Sequence, residues 1–254
     1  MNARLHHTRA APPGRRRRRL VAELALGLLP LLAVAGATTW RFALPPGYLL
    51  RAVALYGLLA VLLYRQLPAG SRSGLGPANR VTLTRAGLVL AIAALLPHPA
   101  LASSDAGWWV ITLATLSLLL DGVDGQVARR TGSATAFGAR FDMELDALLM
   151  LALALAVWRS GRLGPWVVLL GLPRYVFVAA GWRWRWLRRP LPERLRRKAG
   201  CVMQGVALLV SLAPIVPRPL AAGVSGTALL LLVSSFLVDA AWLHRTAPRT
   251  GRIE

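Results

Sequence analysis

Long apolar runs alternate along this chain with short polar segments that are rich in arginine. A membrane-spanning helix needs about 20 mostly apolar residues. Runs that approach this length lie at residues 20–40, 48–64, 82–97, 108–120, 142–158, 165–182, 199–216 and 220–243. Because no proline follows the short run 108–120, we expect its helix to continue through residues 121–129. Glycine and proline inside the runs, such as Pro30 and Pro173, are tolerated in membrane helices and can kink them. The pattern predicts an all-α, polytopic membrane protein.

The composition supports a membrane protein and excludes a nucleic-acid binder. The 254 residues are 56% hydrophobic and 16% charged, whereas about 25% of the residues in soluble domains are charged. The net charge is +21, but the arginines flank apolar runs and do not cover a soluble domain. Trp182, Trp184 and Trp186 interleave with the basic segment 183–198, which is typical of an interfacial belt on anionic lipid. The single cysteine, Cys201, excludes a disulfide framework and a cysteine-rich metal site.

The distribution of arginine predicts the orientation of the chain. The segments 1–19, 65–80, 121–140, 183–198 and the tail from residue 244 are all basic, whereas the segment 98–107 has no lysine or arginine. Positive loops stay in the cytoplasm, so both termini are expected there. Residues 1–19 are interpreted as a basic disordered tail and 20–67 as two membrane helices. A cleaved signal peptide is the alternative for the first run, because Ala33, Val34 and Ala35 resemble a cleavage site.

Four aspartates form the most informative pattern in the sequence. Asp121 and Asp124 are three residues apart and Asp142 and Asp146 are four apart, so each pair shares one face of a helix. Carboxylates beside apolar spans repel one another and are costly to desolvate, so a cation is expected between them. Oxygen ligands of this kind suit Mg²⁺ or Mn²⁺. The alternative is simple ion pairing with nearby arginines at a solvated membrane edge.

Small residues and one arginine accompany the aspartates. Gly125, Ala128 and Gly138 have little or no side chain, so a nucleotide or a neighbouring helix can approach their backbone closely. Arg129 follows Asp124 by about one and a half turns and can bind a diphosphate through its forked guanidinium. Together these residues favour a phosphoryl-type displacement.

The same residues resemble the signature of the CDP-alcohol phosphotransferase family, D-x2-D-G-x2-A-R-x8-G-x3-D-x3-D, at all its fixed positions. The resemblance implies a six-helix membrane core, here residues 77–243 followed by a cytoplasmic tail at 244–254, and a homodimer. The helices within residues 20–67 precede the resemblance.

Family resemblance also implies a role for each residue of the signature. The four aspartates would bind one or two Mg²⁺ or Mn²⁺ ions on the diphosphate, and Asp146 would also deprotonate the acceptor hydroxyl. Gly125, Ala128, Arg129 and Gly138 would bind the CDP-alcohol.

A shorter motif precedes the first helix of this core. Residues 77–85 resemble the family pattern P-N-x-x-T-x-x-R, with one extra residue after Pro77. The resemblance implies that Asn79 and Thr82 lie near the nucleotide. A helix N-terminal cap is the alternative interpretation, since both residue types also favour caps.

Arg174 and Lys198 are candidates for binding the acceptor. Arg174 lies in an apolar span, where an ionisable side chain is expected to face a protein interior or a watery cavity. In relatives with a phosphorylated acceptor, an arginine and a lysine at these positions bind its phosphate. The relatives read K-x-K-T-x-x-Q, but residues 198–204 lack the second lysine and the threonine. Whether the acceptor is phosphorylated therefore stays open. The alternative for Arg174 is that its side chain extends along the span to the lipid headgroups.

The resulting hypothesis is a transferase of phospholipid biosynthesis in a bacterial inner membrane, with its active site facing the cytoplasm. It would move a phosphatidyl or related group from a CDP-alcohol, with CDP-diacylglycerol expected, to a hydroxyl acceptor and release CMP. Glycerol 3-phosphate, an inositol phosphate, serine and other alcohols are all open as acceptors. An intramembrane prenyltransferase and a non-catalytic membrane scaffold are the alternatives.

Overall fold

The computed structural model is built from α-helices. It describes residues 13–66, 76–131, 135–184 and 195–246, without the side chains of residues 13–17, 19, 76–78, 123–131, 195–199, 240 and 243–246. Within these ranges the α-helices are α1 (Pro13–Phe42), α2 (Pro46–Gln66), α3 (Gly76–Leu95), α4 (Ser104–Thr131), α5 (Ala136–Arg159), α6 (Pro173–Arg183), α7 (Leu195–Leu212) and α8 (Arg218–Thr246). Short 3₁₀ helices span Pro99–Ala102 and Pro165–Leu170, and the described residues contain no strand. The predicted all-α class is confirmed.

The helices agree with a polytopic membrane protein. Among the described residues, Leu20–Phe42, Pro46–Gln66 and Arg218–Asp239 are long and apolar enough to cross a bilayer, with mean hydropathies of 2.1, 1.7 and 2.0. Gly200–Leu212 is apolar but shorter. Membrane passage of the other predicted spans stays a prediction, although each apolar run lies in a helical segment. Helix α4 runs unbroken from Ser104 to Thr131, as expected from the sequence.

The structure describes only parts of the predicted tails and of the predicted interfacial belt. Helix α1 begins at Pro13, inside the segment 1–19 that the sequence assigns to a basic tail. Proline is favourable at the first position of a helix and arginine propagates helices well. Residues 1–12 and 247–254 of the predicted tails, and residues 185–194 of the predicted interfacial belt, lie outside the described residues.

One compact unit contains α1, α2, α3 as far as Ala94, α4 from Thr115 and α5 as far as Leu145. A tight turn joins α1 to α2, in which Ala43 has a φ of 47° and the Leu44 amide donates to the Thr39 carbonyl at 3.1 Å. This pattern ends helices efficiently, and the next helix begins at Pro46. Helix α3 is buried almost all round from Ala86 to Ala94.

The second unit contains residues 95–114 and the chain from Asp146 onward. Helices α7 and α8 form a hairpin, in which the Ser211 and Ser225 hydroxyls are hydrogen bonded at 2.6 Å. The Arg162 guanidinium donates to the Ser211 carbonyl at 3.0 Å and to the Ala213 carbonyl at 2.8 Å, which satisfies oxygens at the C-terminus of α7.

The prediction of one helix over residues 165–182 is corrected by the structure. The run is divided into the 3₁₀ helix Pro165–Leu170 and helix α6, which begins at Pro173. Proline lacks an amide hydrogen and disfavours helical geometry in the preceding residue. The Gln204 amide donates to the Leu170 carbonyl at this break, so a polar group freed by the interruption is satisfied. Pro30, by contrast, lies within the continuous helix α1.

Candidate metal centre

Three of the four predicted aspartates lie together in the structure. Asp121 projects from α4, and Asp142 and Asp146 lie one turn apart on the continuous helix α5. Each offers a carboxylate oxygen, and these oxygens lie within 4.8 Å of one another. The Asp121 and Asp142 side chains are 39% and 37% exposed, so the cluster remains open to solvent. Such a group of hard oxygen donors suits a divalent cation like Mg²⁺ or Mn²⁺.

The fourth aspartate and its neighbours lie on the same helix as Asp121. Helix α4 continues through Asp124, Gly125, Ala128 and Arg129, so the backbone places Asp124 one turn after Asp121. The side chains of these residues lie outside the part of the chain that the structure describes. Their predicted contributions to the metal and diphosphate sites stay predictions.

Arg85, the last fixed position of the motif at residues 77–85, also belongs to this centre, although the sequence alone assigns it no role. Its guanidinium Nη1 lies 2.8 Å from Asp121 Oδ1 and also donates to Asp142 Oδ1. Its Nε donates to the Ser117 carbonyl at 3.1 Å, and the side chain is fully buried. The available signal was an arginine among apolar residues on α3, because a buried guanidinium requires acidic or carbonyl partners.

Asn79 and Thr82 are buried on the same helix, one to two turns before Arg85. They are 6% and 3% exposed. Since α3 begins at Gly76, neither residue is its N-terminal cap, and the capping alternative is excluded. Asn79 lies against Gly138 on α5: a Cβ atom added to Gly138 would be 2.5 Å from Asn79 Oδ1. Gly138 therefore permits a close approach of α3 to α5 at Asn79.

Thr135 fixes the start of α5 beside this contact. Its hydroxyl oxygen accepts a hydrogen bond from the Gly138 amide at 2.9 Å, which is the geometry of an N-terminal cap. The cap determines where α5 begins and so sets the positions of Asp142 and Asp146 along it.

The predicted acceptor residues lie on the later helices. Arg174 is in the first turn of α6, directly after the break in residues 171–172, and it is partly buried. Lys198 is on α7, and its side chain lies outside the described residues.

The fold and the carboxylates define an integral membrane protein with a candidate metal site formed by neighbouring helices. A sequence model described as CDP-alcohol phosphatidyltransferase matches residues 76–239, which is well over half of the chain. The chain therefore belongs to this family of metal-dependent transferases of phosphate-containing groups. No solved structure matches the chain. The match begins at the first residue of α3, so α1 and α2 precede it.

Proposed function

We propose that this protein transfers a phosphatidyl or related phospho-alcohol group from a CDP-alcohol, with CDP-diacylglycerol as the donor, to a hydroxyl acceptor. The observation that carries the proposal is the meeting of carboxylate oxygens from Asp121, Asp142 and Asp146 within 4.8 Å. These aspartates occupy three of the fixed positions of the family signature. The membership of the family supports the reaction class, and the geometry supports a cation at the aspartates.

The metal site of the proposal consists of Asp121, Asp124, Asp142 and Asp146, which would bind one or two Mg²⁺ or Mn²⁺ ions. The fit is favourable because carboxylates are preferred ligands of both ions and because oxygens of Asp121, Asp142 and Asp146 lie within 4.8 Å of one another. When bound, such an ion neutralises charge on the diphosphate and stabilises the departing CMP.

In the proposed reaction, Asp146 accepts the proton of the acceptor hydroxyl. The acceptor oxygen then forms a bond to the phosphorus of the transferred group, and the bond from that phosphorus to the CMP oxygen breaks. CMP leaves with the electron pair, and the proton stays on Asp146 until solvent removes it. A carboxylate that is partly exposed and adjacent to a cation site suits this task of general base.

The donor would be bound by residues around the close contact between α3 and α5. Gly138, Gly125 and Ala128 would let the cytidine and diphosphate approach the helices, while Arg129 would donate to the diphosphate. Asn79 and Thr82 would contribute polar groups at the nucleotide.

The acceptor and the cellular context complete the proposal. Arg174 and Lys198 would bind the acceptor, including its phosphate if it carries one. We further propose a homodimer in a bacterial inner membrane, with both termini and the active site on the cytoplasmic side. The division of the chain would be a cytoplasmic tail at 1–19, two helices within 20–67, a catalytic core at 77–243 and a tail at 244–254.

The first test is CMP release by the purified protein in detergent with Mg²⁺ and CDP-diacylglycerol, assayed with a panel of hydroxyl acceptors. We expect Asp146→Asn to lower the rate about 100-fold or more, because general base catalysis typically contributes 10²–10⁴-fold. Asp105→Asn is the matched control, since Asp105 is exposed in the first turn of α4, and its rate should equal that of the wild type.

The possible outcomes separate this function from its alternatives. A full rate for Asp146→Asn would remove the proposed base. If several CDP-alcohols give no CMP with any acceptor, a scaffold is favoured, whereas pyrophosphate release from a prenyl diphosphate would identify a prenyltransferase. The acceptor that gives the highest rate identifies the alcohol.

A further inference from the structure

Arg85 connects two of the helices that carry the metal centre. Its guanidinium contacts Asp121 on α4, at 2.8 Å, and Asp142 on α5. The contact of its Nε with the Ser117 carbonyl, at 3.1 Å, fixes the direction in which the guanidinium points. The side chain is one of the largest that are fully buried among the described residues.

The charge of Arg85 has a clear electrostatic consequence. An arginine cannot lose its proton in a protein, so this positive charge is permanent and must be paired where it is buried. Asp121, Asp142 and Asp146 would otherwise place three negative groups within 4.8 Å of one another. Close carboxylates repel one another. The Arg85 guanidinium offsets one of these three charges.

We propose that Arg85 is a positioning residue and a built-in counter-cation, which keeps Asp121 and Asp142 together when no divalent ion is bound. This inference rests on the proposed function in one respect, namely that the ion binds at these carboxylates. It adds a residue to the centre and explains how the centre stays assembled between catalytic cycles. Arg85 does not contact the reacting atoms in this proposal.

Thermal unfolding in detergent tests the proposal without any substrate. The melting temperature is measured in EDTA and in saturating Mg²⁺ for the wild type and for Arg85→Gln. We expect a large fall for Arg85→Gln in EDTA and a much smaller one in Mg²⁺, because the ion replaces the missing positive charge. The stabilisation by Mg²⁺ should thus be greater in the variant than in the wild type. An equal stabilisation in both proteins would overturn the proposal.

Two controls separate charge from packing. Arg51→Gln removes a partly buried arginine of α2, whose Nε donates to the Ala94 carbonyl at 3.3 Å, so it should destabilise equally in EDTA and in Mg²⁺. Arg85→Lys keeps the positive charge, and its stabilisation by Mg²⁺ should lie near that of the wild type. If Arg85→Lys behaves like Arg85→Gln, the charge is not the cause.

A double variant keeps the test decisive if Arg85→Gln does not accumulate. Adding Asp121→Asn removes one of the repelling carboxylates, so the double variant should be more stable in EDTA than Arg85→Gln alone. The effects of the two substitutions on stability should therefore not be additive. Failure of the double variant, while Asp121→Asn alone folds, would assign Arg85 to packing and overturn the proposal. Because unfolding needs no donor, this result can stand even if no CMP release is found.

Discussion

At the scale of single residues, Gly138 is the position in the centre that least tolerates an added side chain, because Asn79 lies against it. A Cβ atom on Gly138 would lie 2.5 Å from Asn79 Oδ1 and 3.2 Å from Thr135 Oγ1. Side chains essentially never approach so closely, so Asn79 must move if Gly138 gains a methyl group. Asn79 is buried and polar, which makes any displacement costly.

Gly138→Ala should therefore lower CMP release about 10- to 100-fold, because small displacements of groups at an active site have effects of this size. The loss of stability should be small, because alanine is about 1 kcal/mol better than glycine within a helix and this gain offsets part of the cost of moving Asn79. Gly57→Ala is the matched control, because a Cβ there meets no atom within 4 Å. A Gly138→Ala protein that is as active as the control would show that the contact with Asn79 is dispensable.

The sequence predicts the aspartates of the centre but no role for Arg85, although Arg85 is the last fixed position of the motif at residues 77–85. Spacings of three and four residues place carboxylates on one helix face by local geometry alone, so Asp142 and Asp146 could be paired in advance. The partner of Arg85 on α5 is 57 residues away, and no local pattern specifies such a pair. An arginine in an apolar helix indicates that acidic partners exist, but only the packing of α3, α4 and α5 identifies them.

At the scale of helices, α1 and α2 pack closely on α3, although they precede the residues that match the family. Gly27 of α1 lies against Leu83, and a Cβ on Gly87 would be 3.0 Å from the Leu31 backbone nitrogen. Glu23, almost fully buried, pairs with Arg80 at 2.6 Å. On α2, the Tyr48 hydroxyl donates to the Ala91 carbonyl at 3.2 Å. These contacts support the helix that carries Asn79, Thr82 and Arg85.

We expect Gly27→Leu to lower the free energy of unfolding by about 1–3 kcal/mol, the usual cost of overpacking. Its Cβ would overlap the Leu83 side chain and come within 2.5 Å of the Tyr56 hydroxyl. Gly36→Leu in the same helix should leave the value unchanged or raise it by up to about 1 kcal/mol, since no atom lies within 4 Å of its Cβ and glycine is the weaker helix former. Unfolding by SDS in mixed micelles measures both. Equal values for the two variants would show that α1 does not support α3.

The break before α6 illustrates the limit of helix prediction. Pro173 is a residue that can kink a helix, yet the apolar pattern of residues 165–182 predicts one span. Gly171 also packs against Leu151, where an added Cβ would be 2.6 Å from the Leu151 Cα atom. With the Gln204 hydrogen bond to Leu170, this contact stabilises an interrupted helix. Both partners come from other helices, so the sequence pattern of the run alone does not specify the break.

At the scale of the whole molecule, the apolar pattern could be predicted because lipid imposes a local rule. A chain in hydrocarbon must satisfy its backbone hydrogen bonds within each segment, so long apolar runs favour helices. The large apolar side chains that stay exposed on α1, α2 and α8, such as Leu26 at 64% and Leu230 at 73%, suit a surface covered by lipid. The assembly of these helices depends on tertiary contacts. The sequence therefore predicts the helices better than the contacts between them.

The proposed orientation of the chain rests on its charges and gives the last prediction. The segments assigned to the cytoplasm are all basic, and residues 98–107 contain no lysine or arginine. Since basic segments resist translocation, a fluorescent protein fused after residue 254 should be bright in bacterial cells, while alkaline phosphatase at that position should be inactive. Phosphatase fused after residue 103 should be active, which provides the internal control. An active phosphatase at the C-terminus would place the proposed centre on the wrong side of the membrane for a cytoplasmic nucleotide donor.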